Sequence, residues 1–264
     1  MITLYEHPVS PYAQKVKIAL REKGVTFDLV TPAGFGAGAG SGPGVFTRAS
    51  PRGEVPALID AETSIFDSTI ILEYIEERWP TPPLLPQSAR ERARVRMIED
   101  VMDTHFEAIN WGILEIGWFK RAAGDLAQTM MDNAALQTSH FFEWLERQLG
   151  DRTWFNGDGF GWGDLCVAPH IATSMAFGNG PAEGSNLASW FARALQRPSV
   201  SDTVQEARAT FGRGSSNIAE LVEKGLFKRE YRDHRLEWMI KSGGIGVVLK
   251  GMEAGNIRFT EGFG

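Results

Sequence analysis

The stretch that decides the fold is residues 2–24, ITLYEHPVSPYAQKVKIALREKG. Residues 2–5 are apolar and β-prone, which predicts a short buried strand. Residues 11–23 carry apolar side chains at steps of three and four, which predicts a helix. Ser10 suits the N-cap of that helix, and Gly24 suits its end. The stretch therefore predicts a strand, a turn and a helix in sequence.

The following segments extend this unit. Residues 25–30 alternate like a second strand, and Val55-Pro56 leads into a short apolar run that predicts another. A proline that opens a strand is often preceded by a cis peptide bond. Residues 64–66 fit a partner strand, and residues 69–79 fit a helix. Residues 1–80 thus predict a compact α/β domain of thioredoxin size.

The remainder of the chain has a different pattern. Four prolines in residues 80–87 predict an interdomain linker. Residues 88–264 then predict an all-helical domain without strands, so the fold class is α/β followed by all-α. The predicted helices span about 88–122, 125–149, 163–176, 186–196 and 199–210. Residues 213–264 form an extended tail with two or three further helical stretches.

Composition narrows the functional classes. The chain has 264 residues, a formal net charge of −6 and one cysteine, Cys166. These values argue against a nucleic-acid partner, an internal disulfide and a cysteine-rich zinc site. No apolar run is long enough to span a membrane, and no secretory signal is present, so a cytoplasmic protein is expected. His7 and His105 lack metal-ligand partners at suitable spacing, so no metal is expected.

The glycine-rich residues 33–44 predict a surface loop. They lack the Lys-Ser/Thr that ends a phosphate-binding P-loop, and no clear helix follows them. A nucleotide site is therefore not indicated.

Ser10 is the first candidate for chemistry. It stands with Ala13 where a thioredoxin-like unit would carry a C-x-x-C pair, so disulfide exchange is not expected. A hydroxyl at a helix N-terminus can instead hydrogen-bond a thiolate supplied by a ligand. Lowering a thiol pKa by about two units requires about 2.7 kcal/mol. A charged hydrogen bond contributes about 1.5–3 kcal/mol. A purely capping role is the alternative.

Asp67-Ser68 is the second candidate. The pair opens a predicted helix, where backbone N–H groups and a hydroxyl can hold a carboxylate. The Asp67 carboxylate can hold an ammonium group. The pair therefore matches the zwitterionic end of an amino acid, although a plain helix cap would use the same residues.

These segments together resemble the glutathione transferase superfamily, of the cytosolic type with a serine in the active-site segment. The matching segments are ITLY, SPYAQKVKIALREKG, SPRGEVPALID and DSTIILEYIEERWP, and WFNGDGFGWGDLCVAP resembles the helix-start signature of the second domain. The resemblance covers about residues 1–210. It implies an enzyme with glutathione as co-substrate, which conjugates the thiolate to a hydrophobic electrophile in detoxification. It also implies a homodimer.

The resemblance assigns roles to individual residues. Ser10 falls at the catalytic position and is preferred over Tyr5, which lies within the strand. Val55, before Pro56, matches the residue whose backbone pairs with the cysteinyl part of glutathione. Asp67 and Ser68 match the pair that holds its γ-glutamyl end.

The chain also departs from the family pattern. Glu54, which the resemblance assigns to glutathione binding together with Pro56 and Arg52, stands where the family often has Gln or Lys. The glycine-rich loop replaces the segment that supplies a basic residue for the glycyl carboxylate, and Arg48, Arg52 and Lys15 are candidates for that role. Asp164 follows an unusual Gly161 and is expected to be structural.

An apolar electrophile pocket is expected between the domains. Its candidate residues are Tyr12, Phe106, Trp111, Trp118 and Phe119. Two alternative functions remain open: a glutathione-dependent etherase-type lyase, and a non-catalytic binding or regulatory protein on the same fold. The electrophile and the purpose of the tail do not follow from the sequence.

Overall fold

A computed structural model describes residues 1–32, 44–213 and 218–258, and for residues 211–213 and 218 it describes the backbone only. The glycine-rich segment predicted as a loop lies outside the described residues, except for Gly44. No helix in the described ranges is long and apolar enough to cross a membrane.

The N-terminal part is built on a four-stranded sheet. Its strands are β1 (Ile2–Tyr5), β2 (Phe27–Val30), β3 (Ala57–Asp60) and β4 (Thr63–Phe66), in the order β2-β1-β3-β4. β1 pairs with β2 in parallel and with β3 antiparallel. Tyr5 lies opposite Ala57, so the chain leaving β1 and the chain entering β3 meet at one end of the sheet. This register brings the turn before Ser10 towards Val55-Pro56.

Three helices accompany this sheet: α1 (Pro11–Glu22), α2 (Val45–Ala49) and α3 (Ser68–Arg78). On α1, Val16, Ala19 and Leu20 are fully buried, as the apolar periodicity indicated. The predicted strand at 25–30 begins only at Phe27, and α2 was not predicted. Together these elements form a thioredoxin-like α/β domain, which confirms that part of the predicted fold class.

The helical part begins with α4 (Ala89–Val101), a π-helical turn (Met102–Phe106) and α5 (Glu107–Gly117). The helical stretch predicted over about 88–122 runs without a gap from Ala89 to Gly117, with the π-turn inside it, and it ends about five residues earlier than predicted. The π-turn has a local consequence: the Asp103 carbonyl accepts a hydrogen bond from the Tyr12 hydroxyl at 2.7 Å. Such turns occur often at functional sites.

Four further helices complete the part of the domain that was predicted from periodicity. They are α6 (Gly124–Leu149), α7 (Trp162–Ala176), α8 (Asn186–Ala194) and α9 (Pro198–Arg213). Cys166 on α7 is fully buried, as predicted. Asp164 occupies the third position of α7 and accepts hydrogen bonds from Gly161 N at 3.0 Å and Trp190 Nε1 at 2.7 Å. Its role in this fold is therefore structural.

The tail folds back onto α5. It contains α10 (Ile218–Glu223), β5 (Arg229–Glu230), α11 (Asp233–Lys241), α12 (Ile245–Glu253) and β6 (Ile257–Arg258). β5 and β6 form a parallel pair that was not predicted, because two residues are too few to show alternation. Trp238 on α11 packs so closely over Gly112 on α5 that a Cβ at Gly112 would lie 2.0 Å from the Trp238 ring.

Candidate functional site

Two adjoining cavities lie between the N-terminal domain and the helices. The first, of about 330 Å³, is lined by the 50–56 segment, the start of α3 and the α4 region. The second, of about 170 Å³, extends past Ser10 towards Trp111 and the tail. The residues that line both cavities are Tyr12, Glu54, Val55 and Arg232. A ligand bound at Val55 could therefore reach into both cavities.

Ser10 lines the second cavity and is the N-cap of α1. Its Oγ accepts a hydrogen bond from Ala13 N at 3.3 Å, which leaves the hydroxyl hydrogen unused by any described residue. The backbone N–H groups of the first turn of α1 point in the same direction. The arrangement can stabilise a negative charge placed beside Ser10. Tyr5, in contrast, packs its ring on Phe46 at 5.4 Å and lines neither cavity.

Val55 presents a free backbone edge to both cavities. The Val55-Pro56 bond is cis, as the sequence indicated, and neither the N–H nor the C=O of Val55 is bonded to another described residue. Ser50 holds the loop from behind, donating from Oγ to Glu54 O at 2.8 Å and accepting from Glu54 N at 3.1 Å. An extended peptide such as glutathione fits this edge, because it can pair with one donor and one acceptor in register.

The start of α3 forms the far wall of the first cavity. Asp67 has a positive φ of 75°, and its Oδ1 accepts hydrogen bonds from Thr69 N at 3.0 Å and Ile70 N at 3.4 Å. Its Oδ2 accepts from Arg52 Nη2 at 3.1 Å. Ser68 lines the cavity, and its hydroxyl has no partner among the described residues. The pair can hold an amino acid's carboxylate and ammonium groups, and it also caps its own helix.

The three candidates for the glycyl carboxylate differ in availability. Lys15 is wrong for this role, because its Nζ is fully buried and forms ion pairs with Glu99 at 2.5 Å and with Asp103. Arg48 is exposed on α2 and lines neither cavity. Arg52 lines the first cavity, but it already contacts Asp67.

The predicted electrophile pocket requires correction. Trp111 and Tyr12 line the second cavity, as predicted. Phe106 does not, because it is fully buried in the core, where Phe141 lies edge-on to it at 5.6 Å. Trp118 also lies outside the lining of this cavity. The sequence periodicity of an amphipathic helix could not separate a core side chain from a pocket side chain.

Phe119 likewise does not line this cavity. It is buried against the tail, where its ring stacks with Phe227 at 5.7 Å and the Arg229 guanidinium lies 3.8 Å from its centre. The tail therefore packs against Phe119, which the sequence analysis had assigned to the substrate pocket.

The tail supplies the largest group of unpredicted site residues. The cations it contributes to the second cavity are Lys228, Arg229, Arg232, Arg235 and Arg258. The sequence predicted an apolar pocket, but charged as well as apolar side chains line this cavity. The run FKREYRDHRLEWMIK, residues 227–241, is conspicuously charged, but nothing in its pattern shows that it folds back over α1 and α5.

Several of these cations form ion pairs with carboxylates. Burial opposes the ionisation of Glu107, but Arg235 and His234 outweigh this and lower its pKa to about 2. Burial raises the pKa of Glu54 to about 7, and the facing carboxylate of Glu230 adds to the effect. Arg232 Nη1 lies 3.8 Å from Glu54 Oε2, beyond hydrogen-bond distance. The Arg232 guanidinium therefore has no hydrogen-bonded carboxylate among the described residues, although the charges of Glu54 and Glu230 both stabilise it.

No group of three His, Cys, Asp or Glu side chains within residues 1–32, 44–213 and 218–258 could hold a metal ion.

Two family models match the chain. The model described as the N-terminal domain of glutathione S-transferase matches residues 4–83, and the model described as the C-terminal domain matches residues 131–193.

The chain is also similar to individual proteins. A stringent starvation protein A homolog of Coxiella burnetii is 31% identical over 64% of this chain and 74% of its own length. Glutathione S-transferase U28 of Arabidopsis thaliana is 27% identical over 76% of this chain and 88% of its own length. Rice GST1, solved in complex with glutathione, is 25% identical with a TM-score of 0.65, over 80% of this chain and 93% of that chain.

Proposed function

Because the chain belongs to the glutathione S-transferase superfamily, we propose that it binds glutathione and conjugates its thiolate to a small electrophile held beside Trp111. The observation that carries the proposal is the continuity of the two cavities. The free edge of Val55 and the unused hydroxyl of Ser10 both face this space. In the proposed division of the chain, residues 1–80 bind glutathione and residues 88–264 hold the electrophile.

The chemistry rests on a stabilised thiolate. The γ-glutamyl end of glutathione lies at Asp67 and Ser68, and the cysteinyl part pairs with Val55. The thiol then lies beside Ser10. Once the thiol proton has passed to solvent, the Ser10 hydroxyl donates a hydrogen bond to the sulfur anion. That hydrogen bond and the N-terminus of α1 favour the anion by about 2–4 kcal/mol, which lowers the thiol pKa by roughly one to three units. The thiolate attacks the positioned electrophile.

The direct test is the ultraviolet absorbance of the glutathione thiolate, titrated with pH in the presence of the protein. The wild type is expected to show the thiolate signal below the pKa of free glutathione. Ser10→Ala should return the titration towards the free value by about one to two units, whereas Ser10→Thr, which keeps the hydroxyl and the helix cap, should preserve most of the shift. Binding without any shift in the wild type would contradict the proposed role of Ser10.

A non-catalytic binding or regulatory protein is the second candidate. It is favoured by the relative named as a stringent starvation protein A homolog, a name that states no transferase activity. Retention on a glutathione resin separates the candidates. Retention together with a thiolate shift supports the transferase, whereas failure on both counts supports the non-catalytic protein.

A homodimer is also proposed. Two apolar side chains, Ile70 on α3 and Met97 on α4, are 56% and 61% exposed on helices that the Arg96–Glu73 ion pair joins. Sedimentation equilibrium of the wild type should give twice the chain mass, and Met97→Glu should weaken that association.

A further inference from the structure

The cavity beside Ser10 has an uneven charge that its own side chains do not balance. Three of the five tail cations have close carboxylate partners: Arg229 pairs with Glu115, Arg235 with Glu107 and Arg258 with Glu230. Two of the five cations have no close carboxylate partner of this kind among the described residues.

The two are Lys228 and Arg232. Lys228 is exposed and forms no ion pair with any described residue. Arg232 faces Glu54 at 3.8 Å, and Arg52 approaches the same Glu54 oxygen at 3.3 Å. Among the described residues, the tail side of the cavity therefore carries more positive than negative charge.

The remaining wall of the cavity is aromatic and aliphatic. Trp111 lines this wall with a ring that is 5% exposed, and two guanidinium groups, of Arg229 and Arg235, lie 5.2 and 5.3 Å from the ring centre. Leu114 and Phe227 extend the apolar wall. A planar apolar body against this wall would place a substituent within reach of the spare cations.

We propose that the electrophile is an aromatic molecule that carries a carboxylate, and that Arg232 and Lys228 bind this carboxylate beside Ser10. The inference rests on the proposed function and adds the substrate class to it. In the reaction, the glutathione thiolate forms a C–S bond to the ring carbon that bears the leaving group. The leaving group departs with its bonding electron pair, and the thiol proton goes to solvent.

A matched pair of ligands tests the carboxylate directly. The glutathione conjugates of 4-chloro-3-nitrobenzoate and 4-chloro-3-nitrobenzamide have the same shape and differ by one negative charge. Calorimetry on the full chain should show that the carboxylate conjugate binds about tenfold more tightly than the amide, with a smaller ratio at high salt. Turnover of the two chlorides, each divided by its uncatalysed rate with glutathione, should show the same preference.

Substitutions of single cations test which side chains bind the carboxylate. Arg232→Gln and Lys228→Gln should each reduce the carboxylate-to-amide ratio, with Arg232→Gln removing most of it. Lys250→Gln is the matched control, because Lys250 is an exposed tail cation that does not line this cavity, and it should leave the ratio unchanged.

The outcomes separate this inference from the proposed function. Equal binding of the two conjugates by the wild type would overturn the carboxylate subsite while leaving glutathione transfer intact. If Arg232→Gln weakens glutathione itself as much as it weakens the carboxylate conjugate, then Arg232 serves the glycyl carboxylate and the inference is wrong. If neither glutathione nor either conjugate binds, both the proposed function and the inference fail.

Discussion

Replacing Gly112 with alanine should disturb the docking of the tail on the helical domain. The added Cβ would lie 2.0 Å from Trp238 Cζ3 and 2.4 Å from Cη2, whereas ordinary van der Waals contact is 3.4–4 Å. The Trp238 ring would have to retreat by about 1.4–2.0 Å. Trp238 is 5% exposed, so its surroundings offer little room for that movement.

The expected cost follows from two opposing effects. Overpacking of a buried site costs about 1–3 kcal/mol. The higher helix propensity of alanine offsets up to about 1 kcal/mol of this. A net loss of about 1–2 kcal/mol is expected if the ring repacks. If α11 detaches instead, the loss approaches the roughly 3–5 kcal/mol typical of removing a buried tryptophan.

Gly117→Ala is the matched control. Gly117 lies on the same helix, and a Cβ there meets nothing within 4 Å, so this substitution should be neutral or slightly stabilising. Urea unfolding followed by circular dichroism gives the free energies, and trypsin cleavage within residues 228–241 reports detachment of the tail. Gly112→Ala should be less stable than Gly117→Ala and cleaved faster. Equal stability and equal protection of the two variants would refute the close packing of α11 on α5.

Three further changes give distinct outcomes. Ser68→Ala should weaken glutathione binding by about 1–3 kcal/mol in calorimetry, because a carboxylate would lose a hydroxyl donor; unchanged affinity would remove Ser68 from the site. The pKa of Glu54 is raised to about 7 from 4.5, so its contribution to stability is present below pH 4.5 and is lost as the pH rises through 7. Relative to Glu54→Gln, the wild type should therefore lose on the order of 2–3 kcal/mol of unfolding free energy between pH 4.5 and 8, and parallel profiles would contradict this. Asp164→Ala should cost about 3 kcal/mol or more in urea unfolding, because it leaves buried donors from Phe155, Gly161 and Trp190 unpaired; a loss below about 1 kcal/mol would show that these donors find other partners.

Local chemistry allowed much of the backbone at the proposed glutathione site to be predicted. A serine before a proline-led helix, a Val-Pro before a strand and an Asp-Ser before a second helix each restrict the backbone within a few residues. The N-cap at Ser10, the cis bond before Pro56 and the cap at Asp67 are short-range features of this kind, and the structure contains all three.

The residues of the helical part that line the second cavity could not be predicted from local sequence patterns. Phe106 and Trp111 are both buried apolar positions on adjoining helical segments, but of the two only Trp111 lines the second cavity. Their difference depends on the direction of the π-turn between α4 and α5 and on what packs against each side chain. Periodicity identifies a buried face, but it does not tell whether the neighbouring atoms belong to the protein or to a ligand.

The sequence by itself determined the α/β domain, the succession of helices, and the helix caps and cis bond at the proposed glutathione site, because these depend on contacts within a short stretch of chain. Only the tertiary structure decided the charge and the lining of the cavity proposed to hold the electrophile. Arg232 is separated by 222 residues from Ser10 in the chain, yet both line one cavity. The packing of Trp238 on Gly112 brings them there, and a close approach of this kind depends on the shapes of two distant helices rather than on any local preference.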